Sequence, residues 1–197
     1  MGKIFCLMGK SSTGKDTIYK ELLQNEELSL KRIVPYTTRP IRVGETEGVE
    51  YHFTDEEGYQ ALDREGKIIE ARAYNTVHGI WRYFTVADES IDLSTNSYCV
   101  IGTLEAYVQL RDYFGEAKVV PLLVEVDDGE RLARALSRER SQSEPKYEEM
   151  CRRFLGDAED FREEKIAAAG ITRRFLNNKL EECLTELTDY IAGEMQG

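Results

Sequence analysis

Apolar and polar positions fall in alternating blocks along the chain. Lys3 to Met8 is a short apolar run that predicts a strand, and a loop rich in Gly and Ser follows it. Ile18, Leu22 and Leu23 then recur at helical spacing, so the chain opens as strand, loop, helix. Arg32 to Val34 predicts a second short strand. From Pro35 to Val49 the sequence is turn-rich and basic, punctuated by Pro35, Pro40, Gly44 and Gly48. Tyr51 to Thr54 and Ile68 to Tyr74 read as strands on either side of a polar helix that begins near Asp55. Val77 to Phe84 is a further strand, dense in β-branched and aromatic residues. Residues 35–94 therefore predict a small β-rich lobe inserted into an α/β protein.

The same pattern continues beyond the lobe. Tyr98 to Ile101 predicts a strand and residues 104–114 a helix. Val119 to Val126 is a near-continuous apolar run, as in a strand buried on both faces. Two charged helical stretches follow over residues 128–140 and 145–164. Arg173 to Leu176 predicts a last short strand, and Leu180 to Met195 an amphipathic helix. Strands alternating with helices imply a parallel sheet. No internal repeat, low-complexity tract or linker divides the sequence.

Composition narrows the class. A chain of 197 residues with 41% hydrophobic and 32% charged residues fits one domain with its own core. No apolar stretch of ~18 residues is present, so no membrane span is expected. The segment before the glycine-rich loop lacks the apolar region of a signal peptide. The net charge of −11 argues against nonspecific binding to nucleic acid or to an anionic membrane. It leaves room for a local arginine cluster around a small phosphorylated substrate. Cys6, Cys99, Cys151 and Cys183 match neither a zinc spacing nor a CxxC motif. Reduced thiols in a cytoplasmic monomer or small homo-oligomer are expected.

The strongest motif is Gly9-Lys10-Ser11-Ser12-Thr13-Gly14-Lys15-Asp16-Thr17. It has the G-x-x-x-x-G-K spacing of a Walker A loop, between a strand and a helix, as that motif requires. Glycines let the backbone curl so that several N–H groups converge on phosphate oxygens, and the helix N-terminus adds positive potential. Gly9, Ser11, Ser12, Thr13, Gly14, Lys15, Asp16 and Thr17 are thus the candidate donor-binding residues, with Lys15 bridging the outer phosphates. The expected fold is a three-layer α/β P-loop NTPase. The Ser/Thr that normally follows the lysine and holds Mg²⁺ is replaced by Asp16. Either Asp16 approaches the metal through water, or Thr17 takes a role in the helix cap.

Pro35 to Phe53 reads PYTTRPIRVGETEGVEYHF. This closely resembles the guanylate kinase signature T-T-R-x-x-R-x-G-E-x-x-G-x-x-Y-x-F. Thr37, Thr38, Arg39, Arg42, Gly44, Glu45, Gly48, Tyr51 and Phe53 fall on it. Less specific similarity extends over most of the chain. The resemblance implies that Arg39, Arg42 and Tyr51, with Glu45 in the same signature, form the grip on the acceptor phosphate. Arginine forks and a tyrosine hydroxyl suit that role chemically. It also implies that Glu70 accepts hydrogen bonds from the guanine N–H groups. Pro35 replaces a serine usual in the family, and Gly102-Thr103-Leu104 stands where the family has Asp-x-Asp, leaving Thr103 as the candidate there. His78, beside Gly79, either replaces a phosphate donor or is a structural histidine. Trp81 reads as a packing residue.

The resemblance further implies a mobile helical lid. Glu130 to Phe154 carries Arg131, Arg134, Arg138, Arg140, Arg152 and Arg153 around a polar tip, Ser141-Gln142-Ser143-Glu144-Pro145. Arg138 and Arg153 match best the pair that contacts the triphosphate. Asn177, in Phe175-Leu176-Asn177-Asn178, matches a residue that borders the donor base. The implied division is a core of residues 1–34, 95–128 and 165–197, an acceptor lobe 35–94 and a lid 129–164. The implied reaction is ATP plus GMP to ADP plus GDP, with Mg²⁺. The alternatives are a kinase of another acceptor, such as a ribose bisphosphate or a different nucleoside monophosphate, and a non-catalytic guanylate-kinase-like binding module.

Overall fold

The computed structural model describes residues 1–76 and 79–197, so His78 lies outside the described residues. Strand β1 (Ile4–Met8) is fully buried and occupies the middle of a parallel sheet. Loop residues lead from it into α1 (Lys15–Gln24), and β2 (Lys31–Arg32) follows. The lobe comes next: β3 (Tyr36–Thr37), β4 (His52–Phe53), α2 (Glu56–Arg64), β5 (Ile68–Thr76) and β6 (Gly79–Val86). The chain then returns to the core with β7 (Tyr98–Ile101), α3 (Leu104–Phe114) and β8 (Val119–Glu125). Helices α4 (Asp128–Arg140), α5 (Tyr147–Asp160) and α6 (Glu163–Ala168) precede β9 (Arg174–Leu176) and α7 (Leu180–Gln196).

The core sheet has the order β2-β7-β1-β8-β9, with every pairing parallel. Its alternate faces carry two apolar clusters, as the period-two geometry of a strand requires. Ile4, Cys6 and Met8 face a cluster with Leu104, Tyr107 and Leu110 of α3 and Ile166 of α6. Phe5 and Leu7 face Ile18 and Leu22 of α1 and Cys183, Leu187 and Ile191 of α7. Full burial of each such side chain contributes about 1.5–3 kcal/mol, so the three-layer sandwich is held from both sides. The glycine-rich loop emerges from the C-terminal end of β1, where open α/β sheets place their ligands.

The lobe sheet has the order β4-β3-β6-β5. The two threonines of the signature weld it: Thr37 Oγ1 donates to the Arg82 carbonyl at 2.8 Å, and Thr38 Oγ1 accepts from the Arg82 N–H at 2.9 Å. Strand β3 falls inside the segment expected to be only turns, because a two-residue strand has no periodicity to reveal it. Strand β2 pairs at Lys31 and Arg32 and not at Arg32 to Val34, since Tyr98 and Cys99 fix its register. The helix expected over 145–164 is two helices. The break comes at Phe161, which turns into the core beside Ile166. No helix among the described residues is long and apolar enough to cross a membrane.

Candidate active site

The glycine-rich loop takes its shape from two glycines with positive φ. Gly9 has φ +149°, and a Cβ there would lie 2.2 Å from the Val124 carbonyl oxygen. Gly14 has φ +89°, and a Cβ there would lie 2.5 Å from Asn177 Nδ2. Between them Ser12 adopts the left-handed region at φ +65°, which a non-glycine residue adopts only when its surroundings hold it there. Its hydroxyl oxygen is buried without a hydrogen-bond partner. Thr13 Oγ1 and Lys15 Nζ both donate to the Lys10 carbonyl at 2.9 Å. Burial pushes the Lys15 ammonium below its usual range, and the Asp16 and Asp157 carboxylates offset part of that push. Asp16 and Thr17 are exposed on the first turn of α1.

Asn177 closes the loop from beneath. Its backbone N–H donates to the Glu125 carbonyl at 2.9 Å, and its buried side chain donates to the Thr13 carbonyl at 2.8 Å. The structure therefore places Asn177 as a strut under the P-loop backbone. Arg134 donates to the Asn177 carbonyl at 3.2 Å, tying α4 to the same point.

Helices α4 and α5 converge on the other side of the loop. Asp127 caps α4 by accepting from the Gly129 and Glu130 amides at 2.9 and 3.2 Å. Helical spacing then puts Arg131, Ala135 and Arg138 on one face. Arg131 is only 1% exposed. Its Nε donates to the Ser11 carbonyl at 3.0 Å, and its terminal nitrogens pair with Asp128 and, at 3.0 Å, with Asp157. Its guanidinium lies 4.8 Å from the Phe154 ring centroid. Asp157 also accepts the Ser11 backbone N–H at 2.7 Å. A lid carboxylate thus holds an amide of the kind that binds phosphate oxygens. A cavity of about 260 Å³ opens between Ser11, Ser12, Arg131, Arg138, Glu149 and Arg153. Glu149 bonds both Arg152 and Arg153, at 2.7 and 2.8 Å, and they hold its carboxyl down at about 2.

In the lobe, Arg39 is 3% exposed. Two of its nitrogens bind Glu45 as a fork at 2.7 and 2.6 Å, while its Nε is buried without a partner. Its guanidinium lies 4.9 Å from the Tyr51 ring centroid and 5.5 Å from that of Phe53, and the Tyr83 hydroxyl is beside it. Glu45 also accepts the Arg42 N–H at 2.8 Å, and the Arg39 bond holds its carboxyl at about 2. The Arg42 side chain is exposed. Glu70, buried on β5, accepts from Thr85 Oγ1 at 2.9 Å and from Arg72 Nε at 3.2 Å. Thr103 caps α3, its Oγ1 accepting from the Ala106 amide at 3.2 Å.

The structure thus gathers Lys15, Ser12, Arg138 and Arg153 around the loop, and Arg39, Tyr51, Glu45 and Glu70 in the lobe. Three residues stand beside them that the sequence did not single out, Asp157, Tyr83 and Arg72, and of the arginines between Glu130 and Phe154 it is Arg131 whose side chain binds the Ser11 carbonyl. Arg72 carries a legible signal, since it shares strand parity with Glu70, whereas Tyr83 enters only because β6 pairs it with Arg72. Asp157 carries none in the sequence, because only the fold of α5 brings it to Ser11.

Residues 1–91 match the family model described as "Guanylate kinase". Guanylate kinase from Mycoplasma mobile is 44% identical over 79 residues, covering 40% of this chain and 39% of the relative. Guanylate kinase from Neisseria meningitidis is 35% identical over 119 residues, covering 59% of this chain and 55% of the relative. The chain therefore spans about two fifths to just over half the length of these relatives. The crystal structure of guanylate kinase from Anaplasma phagocytophilum superposes with a TM-score of 0.63 at 23% identity, over 98% of this chain and 86% of that one. The chain has the α/β fold of that structure, with its parallel core sheet, and its first 91 residues carry the guanylate kinase sequence pattern.

Proposed function

We propose that this chain transfers the terminal phosphoryl group of ATP to a nucleoside monophosphate, GMP foremost, yielding ADP and GDP. One observation carries the reading. Among the described residues, two side-chain atoms are buried without a partner, Ser12 Oγ in the glycine-rich loop and Arg39 Nε in the lobe. Buried polar groups are rarely left unmet, and each of these sits in a setting that suits a phosphate oxygen. One lies in a backbone cradle beside Lys15, and the other in an arginine fork flanked by Tyr51 and Tyr83. Two anion sites, one for a donor and one for an acceptor, are what a phosphotransferase needs. The similarity of residues 1–91 to guanylate kinases supports the same reading.

Phosphoryl transfer asks the protein for position and charge more than for covalent chemistry. Lys15 would leave the Lys10 carbonyl to follow the donor's outer phosphates. Arg138 and Arg153 line the cavity above the loop and would neutralise charge that develops on the transferred group. Arg39, Tyr51 and the exposed Arg42 would hold the acceptor phosphate in line, with Glu45 fixing the Arg39 fork. Lid closure over this set would exclude water. Thr103 would act through the start of α3 and not by direct contact.

No cluster of three or more potential metal ligands exists among the described residues. That fits Mg²⁺, which keeps several waters and binds through one or two protein oxygens plus substrate phosphates. Asp16, with Thr17 beside it, is the oxygen offered next to Lys15. The ion when bound would draw charge from the β- and γ-phosphates. Cys6, Cys99, Cys151 and Cys183 are free thiols, three of them buried, which suits a reducing cytoplasmic setting.

A coupled assay with ATP, Mg²⁺ and separate acceptors tests the proposal. GMP turnover that is lost in Lys15→Ala, with the thermal midpoint retained, is the expected result. Turnover of a ribose bisphosphate but not of GMP, or activity that survives Lys15→Ala, refutes it.

A further inference from the structure

Glu70 and Arg72 are separated by one residue on β5, so they point to the same face of the lobe sheet. Across β6, Thr85 stands opposite Glu70 and Tyr83 opposite Arg72. Tyr83 in turn packs on Tyr51 at 5.6 Å between ring centroids and lies beside Arg39. This face is the wall of the acceptor site.

On that wall the carboxylate is already engaged. Glu70 is 3% exposed, and Thr85 and Arg72 each take one of its oxygens. A carboxylate that is to receive guanine N1–H and the 2-amino group side by side must turn both oxygens to the ligand. Glu70 turns both to the protein. Arg72 uses its Nε for Glu70, and among the described residues its two terminal nitrogens donate to no protein acceptor that competes with a ligand. Its side chain is 16% exposed, and it stands opposite Tyr83, which packs on Tyr51, so the guanidinium borders the pocket. An arginine fork is matched by the O6 and N7 acceptors of a 6-oxopurine, whereas adenine offers an amino donor in place of O6.

We propose that Arg72, braced by Glu70, reads the acceptor base through its oxo edge, so that the site takes 6-oxopurine monophosphates as a class. Glu70 is a positioning residue in this scheme. The inference rests on the nucleoside monophosphate reading above and names what that site distinguishes. The 2-amino group of guanine goes unread, and inosine monophosphate is used nearly as well as GMP.

The test is kcat/KM with ATP for GMP, IMP and AMP, in the wild type and in Arg72→Gln, Arg72→Lys and Glu70→Gln. Calorimetry of the same three monophosphates runs beside it, so that base selectivity is read whether or not transfer occurs. The wild type is expected to use GMP and IMP within about 5-fold of each other and AMP at least ~10- to 100-fold less well. Arg72→Gln should raise the KM for GMP and IMP by about 10-fold or more, leave the KM for ATP in place and collapse the preference over AMP. Arg72→Lys should restore part of that preference. Glu70→Gln keeps an oxygen for Arg72 to bind, so its effect should be smaller. IMP bound and used ~100-fold worse than GMP overturns the inference, as does an unchanged GMP-to-AMP ratio in Arg72→Gln. Tight binding of GMP without transfer would refute the kinase reading and leave the base-reading result standing on the calorimetry.

Discussion

Asp157 is the residue whose replacement separates two roles most cleanly. Its carboxylate holds the Ser11 amide and Arg131 at 2.7 and 3.0 Å, on the edge of the loop that a donor's phosphates would enter. Like charges about 5 Å apart repel by about 3 kcal/mol at an effective dielectric of about 20. That equals or exceeds one charge-assisted hydrogen bond, about 1.5–3 kcal/mol, so an arriving donor displaces the carboxylate from the Ser11 amide. In Asp157→Asn the Ser11 bond lost on donor entry is a neutral one, about 0.5–1.5 kcal/mol. The difference is about 1 kcal/mol, or about 5- to 10-fold in affinity. The free protein should meanwhile lose about 1–3 kcal/mol of stability, because Arg131 is left with Asp128 as its remaining carboxylate partner. The two readouts therefore move in opposite directions. Calorimetric titration with ATP in the absence of acceptor gives the first, and urea unfolding gives the second. A donor Kd that is unchanged or weaker in Asp157→Asn refutes the reasoning, because a purely structural contact would cost both.

Two further outcomes follow from the same loop. In the unliganded chain the Lys15 pKa lies below its ordinary 10.5; burial disfavours its charged form, and a bound phosphate would favour it. Donor affinity should therefore bend downward as pH rises, with a midpoint below 10.5, while Lys15 makes its contribution to unliganded stability only at alkaline pH. An affinity profile flat up to that value would contradict the burial argument. Asn177→Ala strands the buried Thr13 carbonyl and should cost about 1–3 kcal/mol in urea unfolding, with a weaker donor Kd; an unchanged midpoint would show that the strut is dispensable.

Much of the architecture was legible because its signals are local. The glycine spacing from Gly9 to Lys15 declares a curled backbone whatever the rest of the chain does, and the apolar run of β8 declares a strand covered on both sides. The lobe's threonines and Arg39 were legible through their shared signature. The break at Phe161 was not, since a charged helical run reads as continuous until one aromatic is drawn into the core beside Ile166. The contact of Arg131 with the loop was hidden for a related reason. Arg131, Arg138 and Arg153 have the same chemistry in sequence, and only packing against Phe154 and Ser11 buries the first. Glu70 was expected to accept from guanine N–H groups, but its bonds to Arg72 and Thr85 depend on the local strand geometry and on pairing across β6. Asp157 reaches Ser11 across 146 positions, a contact that only helix docking creates.

The strut under Thr13 has a consequence for the order in which the protein matures. The glycine-rich turn lies between β1 and α1, yet the side-chain amide that braces it comes 164 positions later in the chain, just after the strand that borders the sheet. A ribosome-bound chain that has not yet exposed Asn177 leaves the Thr13 carbonyl of that turn without its side-chain partner. The loop is therefore braced only once residue 177 has been made, and a fragment confined to residues 1–91 would carry the matched pattern without that brace.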